Sequence, residues 1–180
     1  MKANVKNILI TLLVFVIVTS VAVIVTGLLF AIVPIKGVSM HPTVGDGDFV
    51  FILKVGSFKR GDIVVIENVD EDGNAERLLK RIIAIEGDTV ETRNVEGEER
   101  YFVNGEMLEE PYVNNGQEAK GRQPLITVPE GRFYYLGDNR RVSADSYSST
   151  TSGSKLGYMD NIVGKVLFKG NLDNFSFAGV

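Results

Sequence analysis

The chain has 180 residues, no cysteine, a single histidine (His41) and a formal net charge of −4. Thiol nucleophiles, Cys-based zinc sites and a disulfide framework are excluded, and one histidine does not make the usual His-ligand metallopeptidase site. A mildly acidic chain without a basic stripe does not read as a nucleic-acid-binding surface, so no nucleic-acid partner is expected.

Residues 1–33 carry Lys2 and Lys6 and no acid, and over 8–33 no residue is charged. As a helix at about 1.5 Å per residue this run spans about 39 Å, more than the ~30 Å hydrocarbon core of a bilayer. A cleavable leader has an apolar stretch of about 7–15 residues and a small-residue exit. Here the run is longer, and Gly27-Leu28-Leu29-Phe30-Ala31 is a poor exit. The sequence predicts a cytoplasmic N-terminus over 1–7, one uncleaved transmembrane anchor over 8–33 and an extracytoplasmic domain over 34–180. Lys2 and Lys6 outnumber Lys36 across the span, and positive residues favour the cytoplasmic side.

Pro34 is expected to end the helix by denying it a donor. An extended segment over 35–40 then leads into a turn at His41-Pro42 and another over 44–48. Strands are predicted at 49–53, 63–66, 77–85, 89–93, 100–103, 126–128, 133–136 and 162–168, each a short apolar or β-branched run. Asn104-Gly105 is a hairpin-turn signal. Loops are predicted over 68–76, 114–123 and 138–155. No helical period is sustained beyond residue 34, so the domain reads as mainly β, built from antiparallel strands and Gly-rich turns.

Ser39 stands just past the apolar segment, in Gly37-Val38-Ser39-Met40-His41-Pro42-Thr43. A serine hydroxyl is a poor nucleophile until a base removes its proton. His41, two residues away and followed by Pro42, is a strained choice of base and reads as a loop residue. Lys80 lies in Leu78-Leu79-Lys80-Arg81-Ile82-Ile83, where alternation puts it on one face with Leu78 and Ile82, and Arg81 on the other with Leu79 and Ile83. Burial disfavours the ammonium, and a neutral lysine amine near Ser39 could accept its proton. The ordinary reading of a strand lysine, reaching for water or pairing with an acid, stays open on the strand alone.

Four boxes occur in order after the anchor: Gly37-Val38-Ser39-Met40-His41-Pro42-Thr43, Arg60-Gly61-Asp62-Ile63-Val64, Lys80-Arg81-Ile82-Ile83 running to Gly87-Asp88, and Gly137-Asp138-Asn139-Arg140 with Ser143-Ala144-Asp145-Ser146. Together with Val103-Asn104-Gly105, Glu110-Pro111-Tyr112-Val113 and Ile162-Val163-Gly164-Lys165-Val166, they resemble the bacterial type I signal peptidases (leader peptidases), the Ser/Lys dyad family. The resemblance implies an antiparallel-sheet catalytic ectodomain behind one N-terminal transmembrane helix. It also implies a membrane-anchored serine endopeptidase that removes N-terminal signal peptides from exported preproteins.

On that resemblance Ser39 is the nucleophile and Lys80 the general base. Ser143 would hydrogen-bond and orient the lysine amine, and Asp145 would hold the site through polar contacts. The Ser39 backbone N–H would donate to the oxyanion. Ile35 and Leu79 match pocket-wall positions, although core packing explains them equally well. An extended peptide would add to the strand edge over 35–38. Neither a metal nor another cofactor is implied. The partners implied are exported preproteins, the lipid bilayer and, with it, the protein export machinery.

Three departures stand out: Gly37 removes a side-chain hydroxyl donor, Glu86 replaces a proline before Gly87-Asp88, and Tyr147 replaces an arginine. The last leaves Asp145 without its expected partner, a place that Arg140 or Arg141 is expected to fill. A non-catalytic, membrane-tethered chaperone or assembly factor of the same fold is the alternative; it would be expected to lack Ser39 or Lys80, and both are present. A self-cleaving repressor-type protease would carry a DNA-binding helical domain in place of the anchor.

Overall fold

The apolar N-terminal run forms one helix, α1 (Lys2–Leu29), in a computed structural model that describes residues 2–69, 75–113, 119–147, 155–171 and 176–180. Within its segment Asn4–Leu29 the most apolar 18-residue window has a mean hydropathy of 3.2, and the segment is long and apolar enough to cross a membrane. The side chains over 4–28 are all exposed, and an uncovered helix that is apolar on every face suits lipid rather than water. Its hydroxyls bond within the helix: Thr11, Thr19 and Thr26 donate to the carbonyls of Asn7, Phe15 and Ala22 at 2.8–2.9 Å. Internal satisfaction of this kind is what hydrocarbon requires.

The helix stops at Leu29, earlier than Pro34. Lys54 closes its end, with Nζ donating to the Gly27 carbonyl at 2.9 Å and N–H to the Leu29 carbonyl at 2.8 Å. Phe30–Pro34 forms strand β1 instead, with Val33 buried in the core. Pro34 ends this strand, which lies at the edge of its sheet, where a missing donor costs least.

The strands that follow are β2 (Phe49–Leu53), β3 (Ile63–Val69), β4 (Ala75–Ile85), β5 (Thr89–Val95), β6 (Glu98–Val103), β7 (Glu106–Met107), β8 (Ile126–Thr127), β9 (Arg132–Leu136), β10 (Gly157–Tyr158), β11 (Ile162–Asn171) and β12 (Ser176–Gly179). Among the described residues they make two antiparallel sheets. The larger runs β1-β2-β11-β3-β4-β9-β10, with β12 also paired to β11; the smaller runs β7-β6-β5-β8. The fold is thus mainly β and antiparallel, as the short apolar runs predict. Asn104 and Gly105 both have positive φ (54° and 80°), the primed turn expected of Asn-Gly in a hairpin. The predicted loop positions 70–74, 114–118 and 148–154 lie outside the described residues.

Three apolar clusters fill the structure. The first joins β1, β2, β3 and β11 around Val50, Ile52, Ile63 and Val65, with Met40 and Val44 inserted from the loop after β1. The second packs Val90, Tyr101 and Val103 of the small sheet against Ile83, Ala84, Tyr134 and Leu136 of the large one. The third lies on the opposite face of β3 and β4, around Val64, Ile66, Ile82 and Phe133. The β3–β4 register pairs Val64 with Lys80 and Val65 with Leu79, so Lys80 and Leu79 fall on opposite faces, as alternation requires.

Candidate active site

The Ser39 loop is held at both ends. Gly37 takes a positive φ of 95°, in the region where only glycine is at ease, and its N–H donates to Asp46 Oδ1 at 2.6 Å. The His41 N–H returns to the Val38 carbonyl at 3.1 Å and the Val44 N–H to the Met40 carbonyl at 2.9 Å. Met40 and Val44 are buried, which pins the turn while Ser39 between them and the groove stays half-buried. Asn139 clamps the other side: its N–H donates to the Ser39 carbonyl at 3.0 Å and its Nδ2 to the Val38 carbonyl at 3.1 Å. The Ser39 N–H donates to no group among the described residues, which leaves it available to a ligand. His41 is exposed, away from any bond to Ser39 Oγ.

Lys80 meets Ser39 from β4. Its Nζ donates to Ser39 Oγ at 3.0 Å, and the residue is only 2% exposed. Burial pushes the amine down from 10.5 to about 8; Asp145 works against that shift, Lys120 adds to it, and Glu76 and Asp138 oppose it. The group is therefore far nearer to a free base at neutral pH than an ordinary lysine.

The strand is locked next door by Arg81. Its guanidinium makes a two-point pair with Asp138, at 2.9 Å (Nε to Oδ1) and 2.7 Å (Nη2 to Oδ2). It also donates to the Gly61 carbonyl at 2.9 Å and lies 3.9 Å from the Tyr112 ring centroid. Thr43 Oγ1 donates to the same Asp138 carboxylate, tying the serine loop to the lysine strand. Five stretches singled out in the sequence, around Ser39, Gly61, Lys80, Tyr112 and Gly137, thus converge on one place.

Ser143 and Asp145 lie behind the dyad. Ser143 is buried and its Oγ has no hydrogen-bond partner among the described residues, so the bond expected between it and Lys80 is not made. The hydroxyl sits against Gly137, where a Cβ would stand 2.3 Å from it. Asp145 accepts from the Gly137 N–H at 3.4 Å and faces Lys120 Nζ at 3.4 Å. The cation beside Asp145 is therefore Lys120, rather than the expected Arg140 or Arg141: Arg140 is committed to Glu110, with Nη1 3.0 Å from Oε2. Nothing in the polar stretch around Lys120 marks it in the sequence. Glu86, where a proline was expected, accepts from the Gly131 N–H at 2.9 Å and ties its turn to the start of β9.

A groove of about 560 Å³ opens onto the dyad, lined on one side by 33–40 and on the other by 76–80, with Val142 and Ala144 alongside. Ile35 and Leu79 both line it, and both also pack with the first core cluster, so the two readings of these residues hold together. Ile35 spends its N–H and carbonyl on Asp48 and Gly47, at 2.8 and 3.2 Å. Successive peptide groups of an extended chain point to opposite sides, so those of Lys36 face away from that turn. On the other wall, β9 pairs with β4 only from Arg81 onward, leaving the β4 edge over 76–80 without a strand on that side among the described residues. No group of three or more metal-ligating side chains occurs among the described residues.

A family model described as signal peptidase, peptidase S26, matches residues 8–169. A signal peptidase I of Bacillus licheniformis is 37% identical over 137 residues, covering 69% of this chain and 70% of the relative. Signal peptidase I S of Bacillus subtilis (strain 168) is 36% identical over 138 residues, covering 69% and 70%. A crystal structure of a signal peptidase I from Enterococcus faecalis V583 is 26% identical, with a TM-score of 0.46 over 62% of this chain and 97% of that one. By the extent of the family match and the identity to these relatives, the chain belongs to the signal peptidase family, peptidase S26.

Proposed function

We propose that this protein is a membrane-anchored serine endopeptidase that removes N-terminal signal peptides from exported preproteins, with Ser39 as nucleophile and Lys80 as general base. The observation that carries this reading is the 3.0 Å contact between Ser39 Oγ and the nearly buried Lys80 amine. When the amine is neutral, the serine O–H donates into its lone pair. Attack of Oγ on the scissile carbonyl carbon transfers that proton to Nζ. The Ser39 N–H stabilises the oxyanion, a charge that develops only in the transition state. Collapse breaks the C–N bond as Lys80 returns the proton to the leaving amine, leaving an ester on Ser39. Water then attacks the ester carbonyl as Lys80 takes its proton, and collapse breaks the bond between the acyl carbon and Ser39 Oγ, which receives that proton from Lys80 as the acid leaves.

The groove suits an extended peptide. Free backbone groups at Lys36 on one wall and along 76–80 on the other would pair with a strand laid between them, while Ile35 and Leu79 would shape shallow pockets for small side chains. Asp145 supports the dyad by fixing the backbone at Gly137, and the Ser143 side chain does so by packing against that glycine. Helix α1 is the membrane anchor. Lys2 and Lys6 set its N-terminus on the cytoplasmic side, which puts the domain after it outside. The anchor and a precursor's own apolar segment share one bilayer, which raises the effective concentration of substrate at the groove, beside the export machinery that delivers it.

The test is cleavage of a purified preprotein by the full-length protein in detergent, with the cut site read by mass. A single cut after an Ala-x-Ala-like site, lost when bulky residues replace both alanines, is expected. Folded protein that cuts none of several preproteins would favour the tethered chaperone instead.

A further inference from the structure

Lys120 sits in the segment between β7 and β8, outside every motif of the dyad. Its Nζ donates to the Ser143 carbonyl and stands 3.4 Å from both oxygens of Asp145. The Asp145 side chain is fully buried and that of Lys120 is 22% exposed, so the contact is screened little by solvent.

The residues just after Lys120 are fixed rather than draped. Gln123, which is buried, donates its N–H to Thr92 Oγ1 at 2.8 Å and accepts from the Thr92 N–H at 2.9 Å and the Tyr134 hydroxyl at 3.2 Å. Gly121 lies under Tyr147, so close that a Cβ there would stand 2.6 Å from the phenol oxygen. The small sheet and Tyr147 together hold a lysine against the 143–145 turn.

The charged groups that face Lys80 are Asp145 and Asp138 from the segment after β9, Lys120 from the segment before β8, and Glu76 from its own strand. Asp145 is the foremost of the groups that favour the ammonium form, and Lys120 is the cation that opposes it. We propose that Lys120 is a positioning residue of the dyad, which fixes the 143–145 turn and neutralises Asp145 so that this carboxylate does not hold the proton on Lys80. The inference rests on Lys80 acting as the base. It assigns to a residue of the segment between β7 and β8 the task of keeping that base free.

The experiment compares the pH dependence of kcat/KM for full-length wild type, Lys120→Met and Lys120→Arg, with thermal unfolding alongside. Lys120→Met should move the acid limb to higher pH by about one unit, with activity recovered on the alkaline side. Lys120→Arg should keep the wild-type limb. A limb unmoved in Lys120→Met, or moved equally in both variants, overturns the proposal. Should Lys120→Met fail to fold, Asp145→Asn gives the opposite sign: its limb should move to lower pH, and a limb unmoved or raised is contrary. Trace acetylation of the Lys80 amine with acetic anhydride, read by mass spectrometry, follows the same titration without any cleavage. A failure of the peptidase reading is thereby told apart from a failure of this one.

Discussion

The α-carbon of Gly137 packs directly onto the Ser39 carbonyl: a Cβ there would stand 2.5 Å from that oxygen, and 2.3 Å from Ser143 Oγ. Neither neighbour can yield, since the first is backbone and the second is buried. Gly137→Ala should therefore displace the serine loop from Lys80. A misplacement of about 1 Å can cost about 10²-fold in rate, and at least that loss of kcat is expected, with KM little changed. An alanine variant of wild-type activity would mean that the loop is softer than this packing implies.

The Arg81–Asp138 pair is buried, with the side chains 10% and 1% exposed. Removing one partner of such a pair leaves the other charge uncompensated, which costs about 3–5 kcal/mol. Asp138→Asn should lower the unfolding midpoint accordingly and reduce activity, because the same carboxylate anchors Thr43 of the serine loop. Chemical denaturation of both proteins measures the first effect. A loss below about 1 kcal/mol would place the pair with solvent-exposed ion pairs instead.

Much of this was legible in the sequence. The strands at 49–53, 63–66 and 77–85 are continuous apolar or β-branched runs, and the alternation around Lys80 fixed which face each neighbour takes. Ser39 and Lys80, which the resemblance of the ordered boxes to the signal peptidases pairs as nucleophile and base, meet at 3.0 Å. β1 escaped because Phe30, Ala31, Ile32 and Val33 continue the hydrophobicity of α1 without a break. Only pairing with β2, register Phe30 to Leu53, separates strand from helix there. The two-residue strand β10 is too short to carry a period. Lys120 escaped for a different reason: its role depends on a carboxylate distant in the chain, and a lone lysine in a polar stretch carries no pattern. The free Ser143 hydroxyl is likewise a matter of side-chain placement that sequence does not encode locally.

Lys80 should cost the fold stability in exchange for its chemistry. Its amine titrates near 8 in the folded protein and 10.5 is the ordinary value. Between those values the unfolded chain holds more protons than the folded one, so stability rises with pH through that window, and the full cost of the buried ammonium is present below it. Lys80→Met should be more stable than wild type at pH 7, by about 3 kcal/mol, with the gain fading above pH ~10. Denaturation of both proteins at the two pH values reads the difference, and a methionine variant less stable at pH 7 would contradict the assignment.

The same titration shapes the rate. Only the neutral amine accepts the serine proton, so kcat/KM should rise with pH, about tenfold per unit below the lysine's value, and level off above about 8. An acid limb centred well below 7 would point to a carboxylate as the base.

The central claim, that Ser39 and Lys80 act as one unit, is tested most directly by preprotein cleavage with full-length wild type, Ser39→Ala, Lys80→Ala and the double variant in parallel. Each single variant should lose about 10⁴-fold or more in kcat, and the double variant should be no worse than either, because residues acting together are not additive. All four should share a circular dichroism spectrum of the folded protein. Substantial cleavage by folded Lys80→Ala, at the wild-type cut site, would contradict the dyad.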